Sequence, residues 1–317
     1  MKIVFFGSSH FAVSSLEVLI KSQHEIACVV TQPDKKKGRH LHISSTDVKD
    51  TALVAKLKIF QPEDINSKES IKFLNSLAAD IFVVAAYGQI FSPEVLDIPK
   101  IMSINVHASL LPRWRGAAPI NWAIINGDKK SGITIIYMTR KMDSGPIMLQ
   151  KEIKIEDIDT SVTLAEKLRS LGAQLLLQAL IAIENNGYRL IEQDEDKVIF
   201  APKLRKDIGL IDWKDSAVNI HNQIRGVLPW PGAFTNYRRK LLKIFQAEVL
   251  PVFPNHQMQP GEIARVDKEG IVVACGRGFL KINELQLEAA RRMPSGDFII
   301  GHNLRTGEIL GKSSCTK

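Results

Sequence analysis

Cysteine is scarce: the 317 residues hold three, Cys28, Cys275 and Cys315, scattered and odd in number. That argues against a disulfide framework and for a reducing, cytoplasmic setting. Neither a CxxC pair nor an HExxH motif occurs, so no metal site is expected. No run is long and apolar enough to span a bilayer, which leaves no reason to expect a membrane partner. The opening run Lys2-Ile3-Val4-Phe5-Phe6 reads as a strand, with no charged segment, apolar segment or cleavage site of a secretory signal before it. The glycine spacing of a dinucleotide site is missing as well. Gly7-Ser8-Ser9-His10-Phe11 follows the first strand where GxGxxG would be needed, so no NAD is expected. Internal repeats and low-complexity stretches are absent too.

A hydrophobic content of 45% is ordinary for a globular protein, and the length suits one large domain or two ordinary ones. The net charge of +8 is unevenly spread. Residues 201–317 carry 18 Lys and Arg against 11 Asp and Glu, while the first 200 carry 24 against 23. A basic last third fits either a solvated surface or a polyanion-binding domain.

Apolar runs over 2–6, 25–31, 80–86, 101–106 and 132–138 read as strands. Helical patterns lie over 11–21, 48–57 and 67–77. A longer helix spans 160–185, with Leu164, Leu168, Leu171 and Leu175 at helical spacing and Asn185-Asn186-Gly187 as its stop. Alternating strands and helices predict a doubly wound, mostly parallel, Rossmann-like α/β sheet over 1–189. A polar connector over 190–208 follows. The remainder, 209–317, starts with a short helix over 216–225. Short β runs over 241–245, 262–266, 271–274 and 279–287 come next, with turns at 267–270 and 276–278. That rhythm predicts a small β-barrel.

The most informative stretch is Ile104-Asn105-Val106-His107-Ala108-Ser109-Leu110-Leu111-Pro112-Arg113. Side chains alternate along a strand, so Ser103, Asn105 and His107 share one face, and Met102, Ile104, Val106 and Ala108 share the other. A polar row at the carboxyl end of a buried strand is unusual, and open α/β sheets bind their ligands at that end. Taken alone, His107 reads as a hydrogen-bonded structural residue and Asn105 as a turn cap.

Residue by residue, the chain resembles the methionyl-tRNA formyltransferases over nearly its whole length. The resemblance rests on Asn105-Val106-His107, Ser109-Leu110-Leu111-Pro112, Met142-Asp143-Ser144-Gly145, Thr31-Gln32-Pro33-Asp34, Ala86-Tyr87-Gly88-Gln89-Ile90 and Pro229-Trp230-Pro231-Gly232-Ala233, in family order. It implies transfer of a formyl group from 10-formyltetrahydrofolate, a reduced folate acting as co-substrate, to initiator Met-tRNA by a monomer. It also implies a catalytic trio of Asn105, His107 and Asp143. Ser109, Leu110, Leu111 and Pro112 would line the folate site, with Tyr87, Gly88, Gln89 and Ile90 as a nearby wall.

The residue types suit the reaction. Asn105 offers a neutral donor to the oxyanion that develops on the formyl oxygen. His107 offers an imidazole that can donate or accept a proton, and Asp143 can orient and charge-stabilise it. For tRNA, the resemblance places Arg39 in the acceptor-stem loop, with Lys35, Lys36 and Lys37 ahead of it adding phosphate affinity. Arg238, Arg239, Lys240 and Lys243 interleave with Tyr237 and Phe245, a mixture suited to phosphates and bases. The second domain is then the tRNA-binding, OB-like barrel. The family usually has a Pro and an acidic residue where this chain has Ser9 and His10. A sugar-nucleotide N-formyltransferase using the same donor is the nearest alternative. A formyl-folate hydrolase and a non-catalytic RNA-binding relative are more distant ones.

Overall fold

The computed structural model describes residues 1–37, 42–250 and 258–311. The chain divides into two units. One holds Met1–Pro119, Lys130–Lys154 and Ala165–Ala201; the other holds Ile120–Lys129, Ile155–Leu164 and Pro202–Lys317. Among the described residues, no helix is long and apolar enough to cross a membrane.

In the first unit the chain runs β1 (Lys2–Gly7), α1 (His10–Ile20), β2 (Glu25–Val30), β3 (Lys35–Lys37), β4 (His42–Ser44), α2 (Asp47–Val54), β5 (Ile59–Phe60), α3 (Lys68–Ser76), β6 (Ile81–Ala85), α4 (Pro93–Leu96), β7 (Met102–His107) and β8 (Arg113–Gly116). The chain then passes through α5 (Pro119–Ile125), assigned to the second unit from Ile120, and returns with β9 (Lys130–Tyr137), β10 (Ile147–Lys154), α6 (Ser161–Glu184, in this unit from Ala165) and β11 (Ile199–Ala201).

Seven strands form one sheet in the order β10-β9-β7-β6-β1-β2-β5. From β7 to β5 neighbours are parallel, and both faces of β1 and β6 are buried, as a sheet covered by helices on each side requires. Local chemistry sets the helix starts: Thr46 caps α2 by accepting from the Lys49 amide, and Ser67 caps α3 by accepting from the Ser70 amide. In α6, Leu168, Leu171, Leu175 and Leu176 are buried, and Gly172 lies against Val106 and Ile133 of the sheet.

In this unit the structure differs from the sequence reading at β9, β10 and residues 190–208. β9 was expected as one more strand of the parallel set, yet it runs antiparallel to β7, and β10 runs antiparallel to β9. An apolar run carries no mark of direction, and β10 at the sheet edge is covered over Ile147–Leu149 and mostly exposed from Gln150 to Lys154. Residues 190–208, read as a connector, contain β11, which pairs with β8, and a 3-10 turn at Glu195–Lys197.

The second unit contains α7 (Ala217–Gly226), β12 (Ala233–Tyr237), β13 (Lys240–Leu250), β14 (Ile263–Asp267), β15 (Gly270–Ala274), β16 (Phe279–Leu287), β17 (Met293–Pro294) and α8 (Ser295–His302). Its antiparallel sheet has the order β12-β13-β16-β15-β14, with β17 on β16. The Ile263 amide donates to the Glu308 carbonyl (2.8 Å) and the Gly311 amide to the Asn236 carbonyl (2.9 Å). Residues 307–311 thus hydrogen-bond both outer strands, β14 and β12, and join the sheet's two edges. Ile220, Ile224, Leu242, Ile244, Ile263, Val273, Leu280, Leu285 and Phe298 fill the core. Cys28 and Cys275 are buried without disulfides, and burial pushes their thiols up to about 11 and about 12. Cys315 lies outside the described residues.

Candidate active site

The polar row of β7 ends where its neighbour reverses. Asn105 pairs with Val84 of β6 on one side and Ile136 of β9 on the other, and His107 pairs with Thr134. The loop after β7 is tied down by side chains. Ser109 Oγ donates to the Arg113 carbonyl (2.6 Å), and Thr134 Oγ1 donates to the Ser109 carbonyl (2.6 Å). Gln150 Nε2 donates to the Leu111 carbonyl (2.9 Å). This loop delivers β8, whose main chain meets two of the sequence-predicted catalytic side chains. The Trp114 carbonyl lies 3.0 Å from His107 Nε2, and the Gly116 amide donates to Asp143 Oδ2 at 2.8 Å.

Asp143 closes the arrangement from the turn between β9 and β10. Its φ is +51°, in the left-handed region that aspartate enters more readily than most non-glycine residues. Oδ1 faces both β7 residues: Asn105 Nδ2 donates to it at 3.3 Å, and His107 Nδ1 is 3.6 Å away. The His107 and Asp143 side chains are only 6% and 12% exposed. A carbonyl can only accept, so His107 Nε2 carries the hydrogen given to Trp114. Any proton the ring gains or releases is then at Nδ1, the nitrogen facing Asp143. One carboxylate oxygen therefore has a neutral amide donor and a titratable ring nitrogen beside it, at the carboxyl end of a central strand.

The folate-site candidates divide. Ser109 and Leu111 are buried, and Leu110 and Pro112 half-buried. Tyr87 packs edge-on against Phe6 and Phe91, and burial pushes its hydroxyl pKa up. Gln89 accepts from the Ile65 amide (2.8 Å) and donates to the Glu63 carbonyl (3.1 Å). The side chains of Tyr87 and Gln89 are therefore engaged with the core and with residues 63–65. Exposed Ala86, Gly88 and Ile90 are what this segment presents.

Among the RNA candidates, Lys35 is exposed on β3 and donates to Gln32 Oε1 (3.3 Å). Lys36 and Lys37 belong to the same strand, and Arg39 lies outside the described residues. Arg238 is occupied: it forks onto Glu308 at 3.0 and 2.8 Å and donates to the carbonyls of His302 and Asn303. Tyr237, beneath its guanidinium, is buried, and Phe245 is covered by Arg292. Neither ring stands free for base stacking. Arg239 sits in the tight turn before β13 with φ +65°, Lys240 is exposed, and half-buried Lys243 alternates with buried Leu242 and Ile244.

Sequence reasoning missed Trp114 and Gly116, because their contribution is a carbonyl and an amide that every residue possesses. It also missed Gln193, whose Nε2 donates to the Asp143 carbonyl at 2.8 Å.

Residues 1–180 match the family model described as "Formyl transferase", and residues 203–303 match "Formyl transferase, C-terminal domain". The chain is 45% identical over 312 residues to the methionyl-tRNA formyltransferase of Acetivibrio thermocellus, covering 98% of this chain and 100% of that protein. It is 44% identical over 311 residues to that of Caldanaerobacter subterraneus, again covering 98% and 100%. In fold it resembles an N-formyltransferase from Helicobacter canadensis, solved with folinic acid and dTDP-3-aminofucose. There the TM-score is 0.65 at 21% identity, over 92% of this chain and 100% of that one. Sequence identity throughout both matched regions decides the matter: the chain belongs to the methionyl-tRNA formyltransferase family.

Proposed function

We propose that this chain transfers the formyl group of 10-formyltetrahydrofolate to the α-amino group of methionyl initiator tRNA, acting as a cytoplasmic monomer. Asn105, His107 and Asp143 carry the chemistry. The observation behind this reading is the shared oxygen: Asp143 Oδ1 lies 3.3 Å from Asn105 Nδ2 and 3.6 Å from His107 Nδ1.

In the reaction the amine lone pair forms a bond to the formyl carbon, and the carbonyl electron pair moves onto the formyl oxygen. Collapse breaks the bond to N10, which takes up a proton as the amine loses one, so no proton is gained or lost overall. Asn105 hydrogen-bonds the developing oxyanion and is preorganised on a central strand for that task. His107 holds the mobile proton at Nδ1. Asp143 stabilises the protonated ring and accepts the amine proton through a water. The Ser109–Pro112 loop and the exposed main chain of residues 86–90 receive the reduced folate. Lys35–Lys37 and Arg39 in one unit, and Lys240 and Lys243 in the other, engage RNA phosphates.

The direct test supplies labelled 10-formyltetrahydrofolate together with charged initiator tRNA and, separately, a dTDP-amino sugar. Label on the methionyl amino group is expected. Label on the sugar, or release as free formate, would overturn the acceptor assignment. Asn105→Ala should retain its fold and its folate affinity while turnover falls about 10²–10³-fold, the usual cost of removing one oxyanion donor. Near-parental turnover in a folded Asn105→Ala protein removes that role.

A further inference from the structure

Asp143 is gripped from behind as well as in front. Gln193 Nε2 donates one hydrogen to the Asp143 carbonyl at 2.8 Å and the other to the Gly145 carbonyl at 2.7 Å. Its Oε1 accepts from Arg115 Nε at 2.9 Å. Gln193 is 8% exposed and Arg115 4%, so these bonds are sheltered from water. The arrangement uses the amide fully: both hydrogens go to the turn that carries Asp143, and the oxygen goes to β8. Arginine can only donate, so Arg115 fixes which end of the amide faces it and leaves the NH2 group towards the turn. Arg115 is itself clamped by Glu195, two residues beyond Gln193, at 3.3 and 2.8 Å. β8 is the strand whose Trp114 carbonyl meets His107 and whose Gly116 amide meets Asp143.

We propose that Gln193 is a positioning residue for formyl transfer. It holds the turn at Asp143 so that Oδ1 stands against Asn105 and His107, and Arg115 with Glu195 keeps its amide oriented. This rests on the reading that Asp143 serves the transfer step. The turn is closed on its own side by Ser144, whose amide and Oγ donate to the Lys141 carbonyl (3.3 and 3.0 Å), and Gln193 adds a hold from outside the turn on the two carbonyls that flank Ser144. The segment that supplies the hold lies between the two regions the family models match, and its polar composition reads as a linker.

The test is a double-mutant cycle on the full chain, measuring kcat, both KM values and thermal midpoint for parent, Gln193→Ala, Asp143→Asn and the double variant. Gln193→Ala should lower kcat about 10–100-fold, the scale of a small misplacement of a reacting group. Both KM values should stay within about twofold. In the Asp143→Asn background, Gln193→Ala should cost almost nothing more, because residues acting through one another are non-additive. A purely structural role would instead multiply the two losses. Gln193→Glu keeps an acceptor for Arg115 and turns oxygen towards the two carbonyls, so it must lose at least as much kcat. It carries the test if the alanine variant fails to fold. Unchanged kcat in Gln193→Ala, or losses that multiply, overturns the proposal. Near-parental kcat in Asp143→Asn would instead refute the reading on which it rests, so the two failures are distinguishable.

Discussion

Asp143→Asn removes a charge while leaving the surrounding hydrogen bonds a way to persist. Asp143 Oδ2 accepts from the Gly116 amide at 2.8 Å, so an asparagine must keep its oxygen there and place its NH2 where Oδ1 stood. Asn105 can turn its own amide to present oxygen to that NH2. His107, committed through Nε2 to the Trp114 carbonyl, presents the Nδ1 lone pair and can accept the other hydrogen. Fold and folate affinity should therefore survive. What disappears is the negative charge 3.6 Å from Nδ1. At an effective dielectric of about 20, a unit charge pair at that separation is worth about 4–5 kcal/mol. At about 1.4 kcal/mol per decade of rate, that is about 10³-fold, and the new amide dipole returns part of it. Single-turnover formyl transfer with enzyme in excess should slow about 10²–10³-fold, with folate binding and thermal midpoint near parental. A rate within fivefold of parent, in a protein that still binds folate, would refute the electrostatic role of Asp143.

Acid should destabilise the first unit through Asp80, which the Lys2 amide (2.7 Å) and Lys100 (3.0 Å) hold below its ordinary value of 3.8. A carboxyl depressed in the folded state contributes fully above its unfolded pKa and loses that contribution as pH falls through the folded one. Denaturant titrations should therefore show Asp80→Asn flattening the stability slope below about pH 4. In the second unit, Arg238→Ala should cost about 1 kcal/mol of stability by releasing Glu308, with the salt dependence of tRNA affinity unchanged. Lys243→Ala should instead leave stability alone and reduce the log–log salt slope by about one. The reverse pattern would exchange their roles.

How far the fold could be read follows from what each element buries. β1 and β6 are continuous apolar runs because both faces are covered, β7 is apolar on one face and polar on the other, and α6 shows its leucines at helical spacing because one stripe lies on the sheet. β12 was missed because its Ala233, Thr235 and Tyr237 are buried in alternation with half-buried Phe234 and Asn236, a weak contrast directly behind a proline-rich run. α8 was missed because its first turn, Ser295-Gly296-Asp297, reads as a loop. Charge counting leaves the basic last third as either a solvated or a polyanion-binding surface, and it cannot say which cations are free. Arg238 belongs to that surplus and is spent on Glu308, which ties residues 302–308 to the turn before β13.

At the site, alternation along β7 placed Asn105 and His107 on one face, but Asp143 entered only through a motif. No local pattern brings together residues 38 positions apart. The connection runs through the main chain of β8, and there the sequence does hold one clue. Gly116 has φ +124°, and a Cβ on it would stand 2.7 Å from the Ala201 carbonyl of β11. That carbonyl also accepts from the Ala117 amide at 2.8 Å, so β11 cannot back away without losing its own pairing. A side chain at 116 would push β8 off β11 and carry the amide that grips Asp143 Oδ2 with it. The glycine after Arg115 is thus where close approach of two strands and alignment of a carboxylate are the same requirement.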